Sequence, residues 1–268
     1  MQTASETFRL SAAVAERYEA QFVPALFAEW APRLIDLARV GPGQAVLDVA
    51  CGTGIVARSV ADAQRGDGRV VGLDINEAML DVARRVRPEL DWRQGDAAHL
   101  PFPEGSFDVA LCQMAFMFFS DRAQVLCEMA RVVVAGGTVA LSVPGRLADQ
   151  PAYAPFVELA ARHAGPDAVG LLSTYFASGD LDELRSLVEA AGLTITATRS
   201  YQGTVRCPSI DAFVATEVES TPLRERIDDA VYARIREGAR ELLRPFTTPD
   251  GAAAIPLAGH VLAARARP

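Results

Sequence analysis

The segment Val46-Leu-Asp-Val-Ala-Cys-Gly-Thr-Gly-Ile-Val-Ala57 decides the fold of this chain. Its apolar, β-branched first half predicts a short buried strand, and residues 54–63 carry a helical pattern. Gly52 and Gly54 lie between the two, where glycine permits a tight turn and lets a ligand approach the backbone without a Cβ in the way. The order of strand, glycine turn and helix is typical of doubly wound α/β folds.

The same alternation continues on both sides of this segment. We expect strands at 45–50, 69–73, 90–93, 107–112 and 138–143, with helices at 54–63, 76–86 and 121–134 between them. Parallel neighbours need a crossover connection, so this rhythm predicts an α/β fold with helices on both faces of a parallel sheet. Upstream, Val14, Tyr18 and Phe22 recur at four-residue spacing, and Pro24 is expected to separate their helix from a second one.

The rhythm breaks after residue 143, where proline, glycine and aromatic residues predict a helical insertion. A helix and a strand follow it, then a second insertion in which Thr221-Pro222 is expected to open one long helix, and then a last strand. The expected organisation is an N-terminal helical lid (1–44), the cofactor-binding half of the core (45–143), a cap insertion (144–178), a core helix and strand (179–206), a second cap insertion (207–250) and the final strand (251–268).

Composition excludes several classes of function. The chain has 268 residues and a net charge of −8, and it has no basic block that would neutralise nucleic-acid phosphates. Its longest apolar stretch is too short to span a bilayer, and its N-terminus lacks the pattern of a secretion signal. Four cysteines without paired spacing and three histidines predict neither a disulfide framework nor a metal site. We expect a cytoplasmic protein that binds neither membrane nor nucleic acid.

The glycine turn by itself fits two kinds of cofactor. Gly52, Gly54 and Ala57 match the loose dinucleotide fingerprint, and Asp74 closes the second strand where it can accept hydrogen bonds from ribose hydroxyls. Asp48, upstream of the turn, instead favours a ligand with a positive end, such as the ammonium and sulfonium of S-adenosylmethionine. Asp48 can also organise the turn or cap the helix, and the two roles can coexist.

Five motifs, in a fixed order along the chain, connect it to a known family. They are the 46–54 segment, Val70-Val-Gly-Leu-Asp74, Gly95-Asp-Ala97, Leu100-Pro-Phe-Pro-Glu-Gly-Ser-Phe-Asp108, and Glu128-Met-Ala-Arg-Val132 before a glycine pair. With them the chain resembles class I S-adenosylmethionine-dependent methyltransferases of the UbiE-like small-molecule group, well over residues 12–143 and weakly beyond. One departure is Ala50, where many members have glycine.

The resemblance implies a Rossmann-like sheet of seven strands with the last strand antiparallel, carrying helical lid and cap insertions. It also implies that S-adenosylmethionine is the cofactor and S-adenosylhomocysteine the product. The residues expected to contact the cofactor are Tyr18, Phe22, Asp48, Ala50, Gly52, Gly54, Asp74, Ile75, Met79, Gly95, Asp96, Ala97 and Gln113. Tyr18 and Phe22 resemble lid residues, although packing within the helix explains Tyr18 equally well.

The acceptor site is less defined by the sequence. Aromatic residues in the insertions predict a pocket for a small, apolar or aromatic metabolite, and the expected lining residues are Met114, Phe118, Tyr153, Tyr175 and Phe176. The catalytic proton acceptor is not identified, and the weak candidates are Tyr18, Glu19, His163 and Tyr175. Methylation at oxygen, nitrogen or carbon stays open, as does assembly into a homodimer.

Two other functions remain alternatives at this stage. The loose glycine pattern fits an NAD-type oxidoreductase, although Asp48 and Asp96 disfavour that reading. A protein that keeps the cofactor site without catalysis would act as a regulator.

Overall fold

The computed structural model describes residues 11–219 and 221–267 of the chain. The first ten residues of the expected N-terminal lid therefore lie outside the described part. Seven strands form one sheet in the order β3-β2-β1-β4-β5-β7-β6, with the last strand antiparallel, as the resemblance implies. The strands are β1 (Ala45–Val49), β2 (Arg69–Asp74), β3 (Asp91–Gln94), β4 (Phe107–Gln113), β5 (Val133–Pro144), β6 (Leu193–Cys207) and β7 (Ala253–Ala266).

The chain divides into two compact units. Of the described residues, the first unit comprises 11–143, 181–200 and 260–267, and the second comprises 144–180, 201–219 and 221–259. The first unit carries α1 (Ala12–Arg17), α2 (Ala28–Ala38), α3 (Ile55–Gln64), α4 (Glu77–Val86), α5 (Arg122–Val132) and α8 (Leu181–Ala190). The second carries α6 (Tyr153–Ala164), α7 (Asp167–Ser173), α9 (Ile210–Glu219), α10 (Leu223–Arg226) and α11 (Asp229–Leu242).

The core of the first unit is the central part of its sheet. Val46, Leu47 and Asp48 on β1 pair in parallel with β2 on one side and β4 on the other, so β1 is enclosed by strands. Leu47 and Leu111 are among the largest fully buried side chains. Burial on both faces explains why these strands are continuous apolar runs rather than alternating ones. The carboxyl ends of β1, β2 and β4 consequently meet at the same edge of the sheet.

The prediction that Pro24 separates two N-terminal helices is wrong. A π-helical segment, Tyr18–Phe27, connects α1 directly to α2 and contains Pro24. Proline removes one backbone donor, and the π-helical winding carries the helix past that gap instead of ending it. Long π-helical stretches are rare and occur mostly at functional sites, and this one includes the predicted lid residues Tyr18 and Phe22.

The second unit corrects the expectation of one long helix after Thr221-Pro222. Helix α10 ends at Arg226, and α11 begins at Asp229 after Asp228, whose side chain accepts a hydrogen bond from Val231 N. This aspartate cap starts a new helix where the sequence pattern had suggested continuity. Among the described residues, no helix is long and apolar enough to cross a membrane.

Candidate functional site

Asp74 joins the two loops that follow β1 and β2. Its Oδ2 accepts a hydrogen bond from Gly52 N at 2.8 Å, and its Oδ1 accepts one from Asn76 N at 2.8 Å. The carboxylate is 8% exposed. A carboxylate has about four acceptor positions, and the backbone N–H groups of Gly52, Asn76 and Ile75 act on this one, so one position is left for a ribose hydroxyl. The structure thus adds a turn-organising role to the predicted ligand role.

Asp48 is more deeply buried and organises the start of α3. It is 1% exposed, and its Oδ2 accepts a hydrogen bond from Ala57 N at 3.0 Å. Burial raises the pKa of Asp48 to about 8, and the nearby charge of Asp74 adds to this increase, while the bond from Ala57 N opposes it. The alternative that Asp48 organises the turn is therefore visible in the structure, and its role toward a ligand stays a prediction.

The charges at this turn fit a cationic ligand. Burial raises the pKa of Asp74 as well as that of Asp48. Within the described ranges, neither carboxylate forms an ion pair with a lysine, arginine or histidine. Keeping two buried carboxyl groups ionised without a cation is costly. A ligand that carries positive charge would relieve this cost, whereas a pyrophosphate would increase it.

Two non-glycine residues adopt left-handed backbone conformations at this edge of the sheet. Ala50 follows β1 with φ 55°, and Met114 follows β4 with φ 51°. Such conformations are unfavourable for residues with a Cβ and concentrate at functional sites. Ala50 therefore holds a backbone geometry that glycine adopts more readily.

Replacing Ala50 by glycine should stabilise the protein. The Ala50→Gly variant loses the Cβ that disfavours φ 55°, and we expect about 1 kcal/mol more stability, measured by urea unfolding. Ala110 is the control, because it is fully buried in β4 and does not have a positive φ. Ala110→Gly should therefore destabilise the protein. A loss of stability in Ala50→Gly would contradict the strain argument.

Gly54 is needed for packing inside the protein, in addition to any role in letting a ligand approach the backbone. A Cβ built on Gly54 would lie 2.2 Å from the indole of Trp92, and one built on Gly72 would lie 2.4 Å from it. Trp92 on β3 is 7% exposed, and its Nε1 donates to Arg87 O at 2.9 Å. The expected contact of Gly54 with the cofactor stays a prediction. The motif alone could not reveal the indole because β3 is distant in sequence.

The lid residues lie next to the glycine turn. The Tyr18 ring stacks with Phe22 and Phe27, with ring centroids 5.8 and 5.1 Å apart. A Cβ built on Gly52 would be 3.6 Å from Tyr18, which is an ordinary contact distance. Burial raises the pKa of Tyr18, and the charges of Asp74 and Asp48 add to the effect. Tyr18 is therefore both a packing residue and a neighbour of the predicted cofactor site.

Gln113 connects the end of β4 to the lid. Its Nε2 donates to Phe27 O at 3.1 Å, and the side chain is 8% exposed. Its Oε1 is buried without a hydrogen-bond partner among the described residues. An acceptor left in this state is costly, and it fits the donor groups of a ligand at the position where the resemblance predicts the methionine ammonium.

The predicted adenine-contacting residues differ in exposure. Ile75 is 46% exposed, whereas Met79 and Ala97 are buried. Asp96 is exposed, and its Oδ1 accepts from Ala98 N at 2.9 Å. An apolar side chain left open beside Asp74 fits the face of an aromatic base. Gly95 donates its N–H to Asp74 O at 3.0 Å, which brings the loops after β2 and β3 together.

Glu19, one of the candidate proton acceptors, forms an ion pair in the structure. Both of its oxygens accept from Arg58 on α3, at 2.8 and 3.1 Å. This bidentate ion pair ties the π-helical segment to α3, so it makes Glu19 a poor candidate for a base. His163 lies half-buried in the last turn of α6, in the second unit.

The predicted acceptor-lining residues fall in both units. In the first unit, Met114 is buried and Phe118 is partly exposed. In the second, Tyr153 and Phe176 are buried with ring centroids 5.1 Å apart, and Tyr175 contacts Phe176 edge-on at 5.7 Å. The structure therefore brings these three of the four aromatic residues of the cap insertion together.

Sequence reasoning missed one ionisable residue in the second unit. Glu217 on α9 accepts a hydrogen bond from the Tyr153 hydroxyl at 3.2 Å. The signal was present, because Glu217 follows Phe213 by four residues and thus occupies the apolar side of its helix. Within the described residues, no group of three or more histidine, cysteine, aspartate or glutamate side chains is arranged to hold a metal ion.

Comparison with protein families gives a match over part of the chain. Residues 47–141 match the family model described as methyltransferase domain. A demethylmenaquinone methyltransferase of Renibacterium salmoninarum is 36% identical over 127 residues, which are 47% of this chain and 51% of the relative. The chain thus spans about half the length of the curated relatives that it matches.

Comparison with solved structures confirms the fold. A putative methyltransferase from Bacillus halodurans aligns with a TM-score of 0.61 at 19% identity, covering 89% of this chain and 99% of the other. A phosphoethanolamine N-methyltransferase 2 of Haemonchus contortus aligns with the same TM-score at 17% identity, covering 100% of this chain and 61% of the other. At these identities the likeness establishes architecture, and function has to be argued from the site.

Proposed function

We propose that the chain transfers a methyl group from S-adenosylmethionine to a small molecule, on the basis that residues 47–141 match the family model described as methyltransferase domain. S-adenosylmethionine is the cofactor of this type of domain. The observation that carries the proposal is the pair of buried carboxyl groups, Asp48 and Asp74, at a turn without a compensating cation.

The residues at the carboxyl ends of β1, β2 and β4 would hold the cofactor. Asp74 keeps an acceptor position for a ribose hydroxyl, and Ile75 presents exposed apolar surface for the adenine. The buried Oε1 of Gln113 would accept from the methionine ammonium, and the cationic end of the ligand would favour the ionised form of Asp48, whose pKa burial raises to about 8. When bound, S-adenosylmethionine supplies a methyl group on a positively charged sulfur.

The protein contributes mainly positioning and exclusion of water. Tyr18, Phe22 and Phe27 form a stacked aromatic cover beside Gly52. Such a cover keeps water from the methionine end and holds the ligand against the turn. Orienting two reactants in line for displacement supplies about 7–11 kcal/mol in intramolecular models. This contribution does not require an activated nucleophile on the protein.

The acceptor that we propose is small and apolar or aromatic. The buried aromatic residues of the cap insertion, Tyr153 and Phe176 with Tyr175, support this class. The matched relatives are named for demethylmenaquinone, which is itself a ring with a large apolar substituent. A demethylmenaquinone-type acceptor therefore enters the test panel beside simpler phenols, indoles and amines.

Ligand-dependent unfolding tests the cofactor assignment. S-adenosylhomocysteine at 100 times its Kd should stabilise the protein by about 2.7 kcal/mol, and NAD at the same concentration should leave the unfolding temperature unchanged. The measurement is a thermal shift across a concentration series. Stabilisation by NAD alone would favour an oxidoreductase and overturn the proposal.

Turnover separates an enzyme from a cofactor-binding regulator. With S-adenosylmethionine and each acceptor of the panel, release of S-adenosylhomocysteine is measured together with the methylated product. We expect product with at least one aromatic acceptor. Tight cofactor binding without product from any panel member would favour the regulator.

A further inference from the structure

Glu217 and Tyr153 form a polar pair inside the apolar part of the second unit. Tyr153 on α6 is 3% exposed and donates to Glu217 Oε1 at 3.2 Å. The other oxygen, Oε2, has no hydrogen bond within the part of the chain that the structure describes. Glu217 is half-buried rather than sealed. One carboxyl oxygen is therefore held in place, while the other is left to bind something else.

Aromatic rings pack around Tyr153, the hydrogen-bond donor of this pair. Tyr153 contacts Phe176 and Phe213 edge-on, with ring centroids 5.1 and 5.3 Å away, and Phe213 also contacts Phe156 at 5.4 Å. Phe176, Phe213 and Phe156 are all at least 95% buried. These contacts lock the Tyr153 ring, and through its hydroxyl they also orient the Glu217 carboxyl group.

The surroundings of Glu217 shift the pKa of its carboxyl group. Burial raises the pKa of Glu217 to about 7, and the hydrogen bond from Tyr153 works in the opposite direction. Glu217 also raises the pKa of the neighbouring Cys207 thiol, although burial is the larger cause. A carboxyl group with a perturbed pKa, held by a tyrosine that itself packs among aromatic rings, is a candidate binding group.

A purely structural role explains less of this arrangement. A bond between α6 and α9 would need only a neutral acceptor for the Tyr153 hydroxyl, and it would not need a second oxygen. The same unit also has a tyrosine–glutamate hydrogen bond at its surface, in which Tyr232 donates to the exposed Glu219 at 3.0 Å. The pair of Tyr153 and Glu217 differs because Tyr153 lies among aromatic rings and Glu217 keeps an unused acceptor, and both are features of a ligand site.

We propose that Glu217, oriented by Tyr153, accepts a hydrogen bond from an O–H or N–H group of an aromatic methyl acceptor bound within the second unit. The aromatic rings around Tyr153 bind the ring of the ligand, and the carboxyl oxygen Oε2 selects ligands that carry a donor. This inference rests on the proposed function, because it identifies the ligand as the methyl acceptor. In this role Glu217 is a specificity-determining residue.

Two pairs of probes test the selection for a donor. The first pair is 1-naphthol and 1-methoxynaphthalene, and the second is indole and 1-methylindole. Each probe is titrated by ligand-observed NMR into the full chain saturated with S-adenosylhomocysteine. We expect the wild-type protein to bind the donor-bearing member of at least one pair about tenfold more tightly. Equal affinity within both pairs would overturn the inference.

The variants identify the group responsible. Glu217→Gln still accepts from Tyr153 but turns an NH₂ group toward the ligand, so the preference for the donor-bearing probe should disappear. Tyr153→Phe keeps the ring and releases the carboxylate, and it should reduce the preference at least threefold. The matched controls Glu219→Gln and Tyr232→Phe should leave it unchanged. Near-UV circular dichroism and unfolding temperature verify folding of every variant.

The affinity for S-adenosylhomocysteine separates failure of the inference from failure of the proposed function. If Glu217→Gln and Tyr153→Phe bind S-adenosylhomocysteine normally but keep the preference, the inference is wrong and the methyltransferase proposal stands. If the wild-type protein does not bind S-adenosylhomocysteine at all, the proposed function fails first. Loss of the preference in both control variants would also contradict the inference, because it would show a general effect on the unit.

Discussion

Substitution of Gly54 by alanine should be among the most destabilising single changes in the first unit. The new Cβ would meet the Trp92 indole at 2.2 Å, and Gly54 has φ +90°, a conformation that alanine adopts poorly. Overpacking of this kind costs about 1–3 kcal/mol, and the left-handed conformation adds about 1–2 kcal/mol. We therefore expect a loss of about 2–5 kcal/mol, measured by urea unfolding of the full chain.

Two further variants separate the collision from the backbone strain. Gly66 also has a positive φ, +79°, but nothing lies within 4 Å of a Cβ built there. Gly66→Ala should therefore show the strain alone, about 1–2 kcal/mol. Adding Trp92→Leu to Gly54→Ala should cost less than the sum of the two single changes, because the collision is removed. Equal losses in Gly54→Ala and Gly66→Ala would contradict the packing role of Trp92.

Removal of the Asp74 carboxylate should have the largest effect on cofactor binding. Asp74→Ala loses the acceptor position proposed for the ribose and frees the N–H groups of Gly52 and Asn76, which now bind the carboxylate. We expect the Kd for S-adenosylhomocysteine to rise at least tenfold, which corresponds to about 1.4 kcal/mol. Isothermal titration calorimetry measures this change.

Asp108 provides the matched control for this substitution. Its Oδ2 accepts from Ala45 N at 2.7 Å, at the opposite end of β1 from the glycine turn. Asp108→Ala removes a carboxylate and one backbone bond, so it should reduce stability and leave the Kd unchanged. If Asp74→Ala, shown to be folded, binds S-adenosylhomocysteine like the wild-type protein, then the proposed ribose contact is wrong.

The helices and strands of the first unit could be predicted closely because their signals are local. Apolar runs bounded by turn residues predicted β1, β2 and β4 to within about a residue or two of their observed bounds. The N-terminal run was predicted less well. Pro24 is a helix breaker in isolation, and only the packing of Val23, Leu26 and Phe27 against the core retains a helical path around it.

In the candidate site, too, features set by neighbouring residues could be predicted, whereas contacts between residues far apart in the sequence could not. The glycine turn and Asp74 could be identified because their spacing along the chain is itself the signal. The unused oxygen of Gln113 and the pairing of Glu19 with Arg58 could not, since each depends on a partner 39 or more residues away. Glu217 left only a trace in the sequence, a carboxylate at an apolar helix position.

By itself, the sequence determined the α/β class, the alternation of strands and helices and the position of the glycine turn. These follow from hydrophobic periodicity and from backbone preferences, which act between residues close together in the chain. Tertiary structure alone decided that Trp92 requires glycine at 54 and 72, and that Tyr153 orients Glu217. The reason is physical: steric contact and hydrogen bonding act over a few ångströms, and only folding brings those atoms that close.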